Sequence, residues 1–177
     1  VARGLGVSER AIAKVLKKAK PLSGRLETIR RVGGVTFIND TTATNPGSAI
    51  AALSALSKKY QGIVLIAGGA AKKLPSADFA KTIAKFARAV IFLPGSATPE
   101  IAKEVRRFTK SRKGFVEHAR TMARAVKMAW RKAVRGDAVL LSPGAASFGL
   151  FQNEFDRGEQ FVKAVRRLRA KENPRRP

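Results

Sequence analysis

"INDTTATNPGSAIAAL", residues 38–53, is the stretch on which the fold turns. An apolar run, Val35-Thr36-Phe37-Ile38, breaks into an amide, a carboxylate and a series of hydroxyls. A helix then opens on Asn45-Pro46, with asparagine suited to the N-cap and proline to the first helical position. A strand is therefore expected to hand over directly to a helix, and the polar residues collect at the junction.

The same handover recurs toward the C-terminus. Helix 46–58 leads to strand 63–67, helix 77–88 to strand 90–93, and helix 99–108 to a weak strand near Phe115-Val116. Helix 122–134 then precedes strand 138–141, and a last helix is expected from about Glu159 to Arg169. The strand cores Val64-Leu65-Ile66, Val90-Ile91-Phe92 and Val139-Leu140-Leu141 are continuously apolar, the pattern of strands buried on both faces. Such alternation predicts an α/β fold: a Rossmann-like, mostly parallel sheet with helices on both faces. Toward the N-terminus, "GRLETIRRVGGVTFIND" reads as two strands around Gly33-Gly34, a hairpin-like start to the sheet. Before it, "SERAIAKVLKKA" carries Ala11, Ile12, Val15 and Leu16 on one helical stripe, with Ser8 as N-cap. The expected division is a leading helix or linker over 1–21, the α/β domain over 22–170, and a basic tail over 171–177.

Composition narrows the function classes. With 177 residues and 45% hydrophobic content, the chain is long enough for a real core. No cysteine is present, which removes disulfides and thiolate metal sites and fits a cytoplasmic setting. Runs such as "GIVLIAGGAA" are too short to span a bilayer, and no signal peptide is visible, so no membrane partner is expected. The chain starts at Val1 rather than Met, so it is expected to be part of something longer. A monomer is expected. Its net charge of +24 suits polyanions, but the basic residues are scattered over helix faces and termini, as on a solvated surface. Nucleic acid stays open as a non-specific partner.

In an open α/β sheet, ligands bind beyond the carboxyl ends of the strands. Three such ends carry unusual sequence. Thr41, Thr42 and Thr44 surround the positive end of a helix, an arrangement suited to an anion and equally to a capped turn. Gly68-Gly69 followed by Lys72-Lys73 can hold a carboxylate or phosphate, although no G-x-x-x-x-G-K-[ST] nucleotide loop occurs anywhere. "LLSPGAASFGLFQNEFDRGEQF" gathers Ser142, Ser147 and glycines after a buried strand, and then runs through "DRG" into the last helix. Ser147 lacks a G-x-S-x-G elbow and the single histidine, His118, lies elsewhere, so a serine hydrolase is a poor reading.

Taken in order, these stretches resemble the Mur ligase family, and within it the D-glutamate-adding branch. The resemblance rests on Arg25-Leu26-Glu27, on Asn39 to Asn45, on Gly68-Gly69-x-x-Lys72, on Ser142-Pro143-x-x-Ala146-Ser147, and on Arg157-Gly158. It covers the chain from about Leu22 onward, and the leading helix resembles the end of the family's central domain. The chain departs from the family pattern at Thr42, where lysine is common, at Ala70-Ala71, where Asp-Gly is common, and at Gly24, where histidine is usual.

The resemblance implies the C-terminal domain of an ATP-dependent ligase of peptidoglycan precursor synthesis. In that reaction ATP phosphorylates the carboxylate of UDP-N-acetylmuramoyl-L-alanine, and the amine of D-glutamate attacks the acyl phosphate. It implies D-glutamate binding by Thr42, Thr44, Lys72, Ser147 and the Phe148 backbone, and ATP contacts from Arg25 and Asp40. ATP and Mg2+ would be held mainly by a central domain that this chain does not contain, and UDP-N-acetylmuramoyl-L-alanine by further missing parts. By itself the chain is expected not to turn over. Another Mur-type or folylpolyglutamate-type ligase and a basic nucleic-acid-binding module are the alternatives.

Overall fold

A computed structural model describes residues 1–18 and 22–169. The expected tail over 171–177 lies outside the described residues. The core is a six-stranded sheet built from β1 (Glu27–Val32), β2 (Val35–Asn39), β3 (Ile63–Ala67), β4 (Ala87–Phe92), β5 (Val116–His118) and β6 (Ala138–Leu141), in the order β1-β2-β6-β3-β4-β5. Only β1 runs antiparallel, paired to β2 through the Gly33-Gly34 turn. Both glycines have positive φ, 58° and 82°, as a tight hairpin turn matching strand twist requires.

The helices are α1 (Glu9–Lys18), α2 (Pro46–Leu56), α3 (Ala77–Phe86), α4 (Thr98–Phe108), α5 (Met122–Lys132) and α6 (Glu154–Arg166). Alternation along the buried strands sends Ile63, Leu65 and Ala67 of β3 to one face, against α2, α3 and α4. Val64 and Ile66 face the other way, toward α5 and α6. Phe37 and Trp130 meet on that second face, with ring centroids 5.6 Å apart. Side chains fix several helix starts: Asn45 accepts from Ser48 N at 2.9 Å, Thr121 from Arg124 N at 3.2 Å, and Asn153 from Phe155 N and Asp156 N.

The structure differs from the sequence reading at three helices. Helix α6 starts at Glu154, not Glu159, so Asp156-Arg157-Gly158 lies inside it. Helix α3 stops at Phe86 because Ala87 already pairs with Ile63. On α1 the apolar stripe is left uncovered, with Val15 and Leu16 68% and 67% exposed.

β6 is the last strand in sequence yet sits between β2 and β3. The chain leaves β2 and β3 for one face, through α2 and α3, and leaves β6 for the other, through α6. The connections therefore diverge at the carboxyl ends of these three strands and open a crevice there.

Candidate functional site

The segment after β2 is pinned on both sides. Asp40 N donates to Leu141 O at 2.8 Å, and Gly144 N donates to Ala43 O at 2.9 Å, so the first and third polar segments pack as one unit. The Gly68-Gly69 turn joins them: Gly68 N donates to Pro143 O, and Ala70 and Ala146 form an antiparallel bridge. Gly69, at φ +146°, passes so close to Ala146 O that a Cβ there would collide with it. Three segments distant in sequence thus meet at one place.

On this platform, Lys72 Nζ donates to Thr44 Oγ1 at 3.1 Å. Both residues line a recess of about 40 Å³ with Ala70, Ala145, Ser76 and Glu100. Glu100 is engaged by the Ser76 hydroxyl at 3.2 Å, and no carboxylate lies within ion-pair distance of Lys72 among the described residues. An exposed ammonium beside a hydroxyl, over a recess about the size of one water or carboxylate group, offers donors of the kind that a carboxylate accepts from.

A wider cavity of about 590 Å³ opens next to it, lined by Arg25, Leu26, Asp40, Thr42, Asn45, Ser48 and the alanines of α2. Its volume suits a nucleotide-sized ligand. Asp40 is 7% exposed and doubly held, accepting from Ser142 Oγ at 2.7 Å and from Leu26 N at 3.2 Å. Burial raises the Asp40 carboxyl above its ordinary 3.8, opposed by the Ser142 and Leu26 hydrogen bonds and by the charge of Arg25. Leu26 and Lys73 adopt positive φ, 46° and 52°, a conformation costly for side-chain-bearing residues. Each directly follows a candidate cation, Arg25 or Lys72.

The residues singled out from sequence do not form one cluster. Thr44 and Lys72 touch each other. Arg25, Asp40 and Thr42 share the larger cavity, and the Thr42 hydroxyl is committed to Gly24 O at 2.9 Å. Ser147 is 3% exposed on the bridge side of the third segment, while Phe148 is 65% exposed. His118 ends β5, its Nε2 2.9 Å from an Arg106 nitrogen; burial, then the Arg106 charge, lower it below the usual 6.5. Among the described residues no group of three or more His, Cys, Asp or Glu could hold a metal ion. No described helix is long and apolar enough to cross a membrane.

Sequence reasoning passed over Arg157 as a site residue. It falls on the inward stripe of α6 with Phe161 and Val165, at i, i+4 and i+8, and that spacing was the available signal. Its guanidinium donates to Thr41 Oγ1, Thr41 O and Ala145 O at 3.1, 2.7 and 3.1 Å.

A UDP-N-acetylmuramoylalanine--D-glutamate ligase from Roseiflexus sp. is 43% identical over 160 residues, 90% of this chain and 34% of that protein. The enzyme of the same name from Teredinibacter turnerae is 39% identical over 95% of this chain and 36% of its own length. The chain thus spans about a third of these relatives. Among solved structures, MurF from Acinetobacter baumannii superposes with a TM-score of 0.61 at 21% identity, covering 93% of this chain and 35% of that one. MurF from Thermotoga maritima, solved in complex with ADP, gives 0.58 at 21% identity over 93% of this chain and 36% of that one. These two likenesses establish a common fold. The family model described as "Mur ligase, glutamate ligase domain" matches residues 24–145, and the chain belongs to that family.

Proposed function

We propose that this chain is the amino-acid-binding domain of an ATP-dependent, cytoplasmic ligase that adds D-glutamate to UDP-N-acetylmuramoyl-L-alanine in peptidoglycan precursor synthesis. The observation that carries the reading is the Thr44–Lys72 pair over its recess: a cation without a carboxylate partner, fixed where three strand ends converge. The names of the 35–43% identical relatives support the D-glutamate branch over a folylpolyglutamate-type ligase.

In this reading Lys72 and Thr44 take one carboxylate of glutamate, and Ser147 with the Phe148 backbone takes the other. The ligand is thereby oriented so that its amine faces an acyl phosphate delivered from outside the domain. Thr42 contributes to the larger cavity rather than through its hydroxyl, which Gly24 already occupies. Arg25 and Asp40 flank that cavity, and the nucleotide reaches it across a domain gap. ATP and Mg2+ are held elsewhere in the enzyme, and Mg2+ supplies charge neutralisation of the phosphates there. The residues 1–21 form a connection to the ATP-binding part, and 22–170 the domain itself.

The test is ADP release by the full-length protein, with UDP-N-acetylmuramoyl-L-alanine and either enantiomer of glutamate. D-glutamate supports turnover, L-glutamate does not, and Lys72→Met raises the KM for D-glutamate by roughly tenfold or more, the loss of one charge-assisted contact. Equal use of the two enantiomers sinks the substrate assignment.

The basic surface favours no second reading strongly. Its cations are spread over several elements, and the exposed phenylalanines Phe108, Phe148 and Phe155 lie on separate segments.

A further inference from the structure

Arg157 is a large charged side chain with 0% exposure, and none of its hydrogen-bond partners is a carboxylate. Burying a cation without a counter-ion is costly, and such groups are retained where something offsets the cost. Here the partners are neutral oxygens: the hydroxyl and carbonyl of Thr41 and the carbonyl of Ala145. Thr41 belongs to the segment that carries Asp40, Thr42 and Thr44, and Ala145 to the one that carries Ser147. Glu154 contributes its backbone carbonyl to the Thr41 hydroxyl at 2.7 Å, while its carboxylate acts on the guanidinium only at a distance. Burial pushes the Arg157 pKa down to about 10, with Glu154 opposing, so the group stays charged at neutral pH.

A neighbouring small residue makes the arrangement fit. A Cβ at Gly158 would lie 2.8 Å from Thr41 Cγ2, so α6 can approach this segment only with glycine there. Lys72, by contrast, is exposed, and its hydrogen bond goes to the Thr44 side chain rather than to backbone.

We propose that Arg157 is a positioning residue for the anion site: its hydrogen bonds to Thr41 and Ala145 brace the segments after β2 and β6 against each other, and so hold the candidate anion-binding residues on those segments in register. Its anion dependence rests on the ligand-binding reading above, but the brace concerns any dicarboxylate and not D-glutamate alone.

The experiment is a 15N NMR titration of the 177-residue chain with glutarate, a minimal dicarboxylate, and with D-glutamate, following backbone amides and arginine Nε–Hε signals. The Arg157 Nε signal moves on addition of dicarboxylate while that of exposed Arg131 does not. Arg157→Lys, which keeps the charge but loses the fork, weakens apparent affinity by roughly tenfold, and Arg157→Met weakens it further. Thr41→Val, which removes one of the three acceptors without touching the charge, weakens it less than either and guards against misfolding of the arginine variants. Arg131→Met serves as the surface control and changes affinity little. Binding of both ligands with no Arg157 dependence overturns the proposal and leaves the substrate reading intact. Glutarate bound as tightly as D-glutamate, with Arg157 dependence, keeps the proposal and sinks the D-glutamate reading. No response of the unaltered chain to either ligand overturns the proposal.

Discussion

Asp40 is the residue where structure and function pull in opposite directions. Its folded pKa is raised, so the native state disfavours the carboxylate form. The corresponding stability is present below the ordinary value of 3.8 and is lost as pH rises through the folded pKa. Asp40→Asn can keep both hydrogen bonds, accepting from Leu26 N and donating to Ser142 Oγ. It is therefore expected to raise the Tm at neutral pH, with a gain that shrinks as the pH falls below the carboxylate range. A lower Tm at pH 7 would show that the ionised group stabilises the fold. Residue identities at the site were legible: the hydroxyls after Ile38, the lysine after Gly68-Gly69 and the serine after Ala146 all come to the same end of the sheet. Side-chain directions were not legible. The Thr42 hydroxyl turns to Gly24 because that turn, at φ +72°, brings its carbonyl within 2.9 Å. Arg157 was legible as part of the Arg157-Gly158 motif but not as a buried group, because a charged residue reads as surface unless its helical stripe is followed inward.

At the scale of elements, strands were read best where burial on both faces left no choice. The bounds of β3 and β6 coincide with the apolar runs at 63–67 and 138–141, each closed by glycine or a polar residue. The sequence reading starts the last helix near Glu159, just after Gly158, whereas α6 begins at Glu154. In the structure that glycine serves close packing against Thr41, and Asn153 starts the helix by accepting from two backbone amides at 2.9 Å. Asn153→Ala is expected to cost about 1 kcal/mol in urea unfolding, the usual worth of an N-cap. In the hairpin, Gly34 has φ +82°, and a Cβ there would lie 2.7 Å from Arg135 Cγ. Gly34→Ala is expected to cost more than about 1 kcal/mol, combining left-handed strain with that collision. An unchanged urea midpoint in either variant would remove the assigned role.

For the whole molecule, the +24 charge dominates. Among the described residues few cations have acidic partners, and ion pairs such as Arg3–Glu9 and Lys81–Asp78 are largely exposed and contribute little. Self-repulsion is screened as the Debye length shrinks from about 30 Å at 0.01 M salt to about 8 Å at 0.15 M. The Tm is therefore expected to rise with sodium chloride over that range, and a fall would mean that attractive pairs outweigh repulsion. Against this field, the proposed anion site needs fixed donors to be selective, and the Lys72–Thr44 pair at the ends of β2 and β3 is the candidate. The measurement that bears most directly on this is hydrogen exchange of the chain with D- and with L-glutamate. Slowed exchange by D-glutamate is expected in 40–45, 68–73 and 142–148, with little effect of L-glutamate. Equal protection by both enantiomers, or protection confined to other segments, would contradict it.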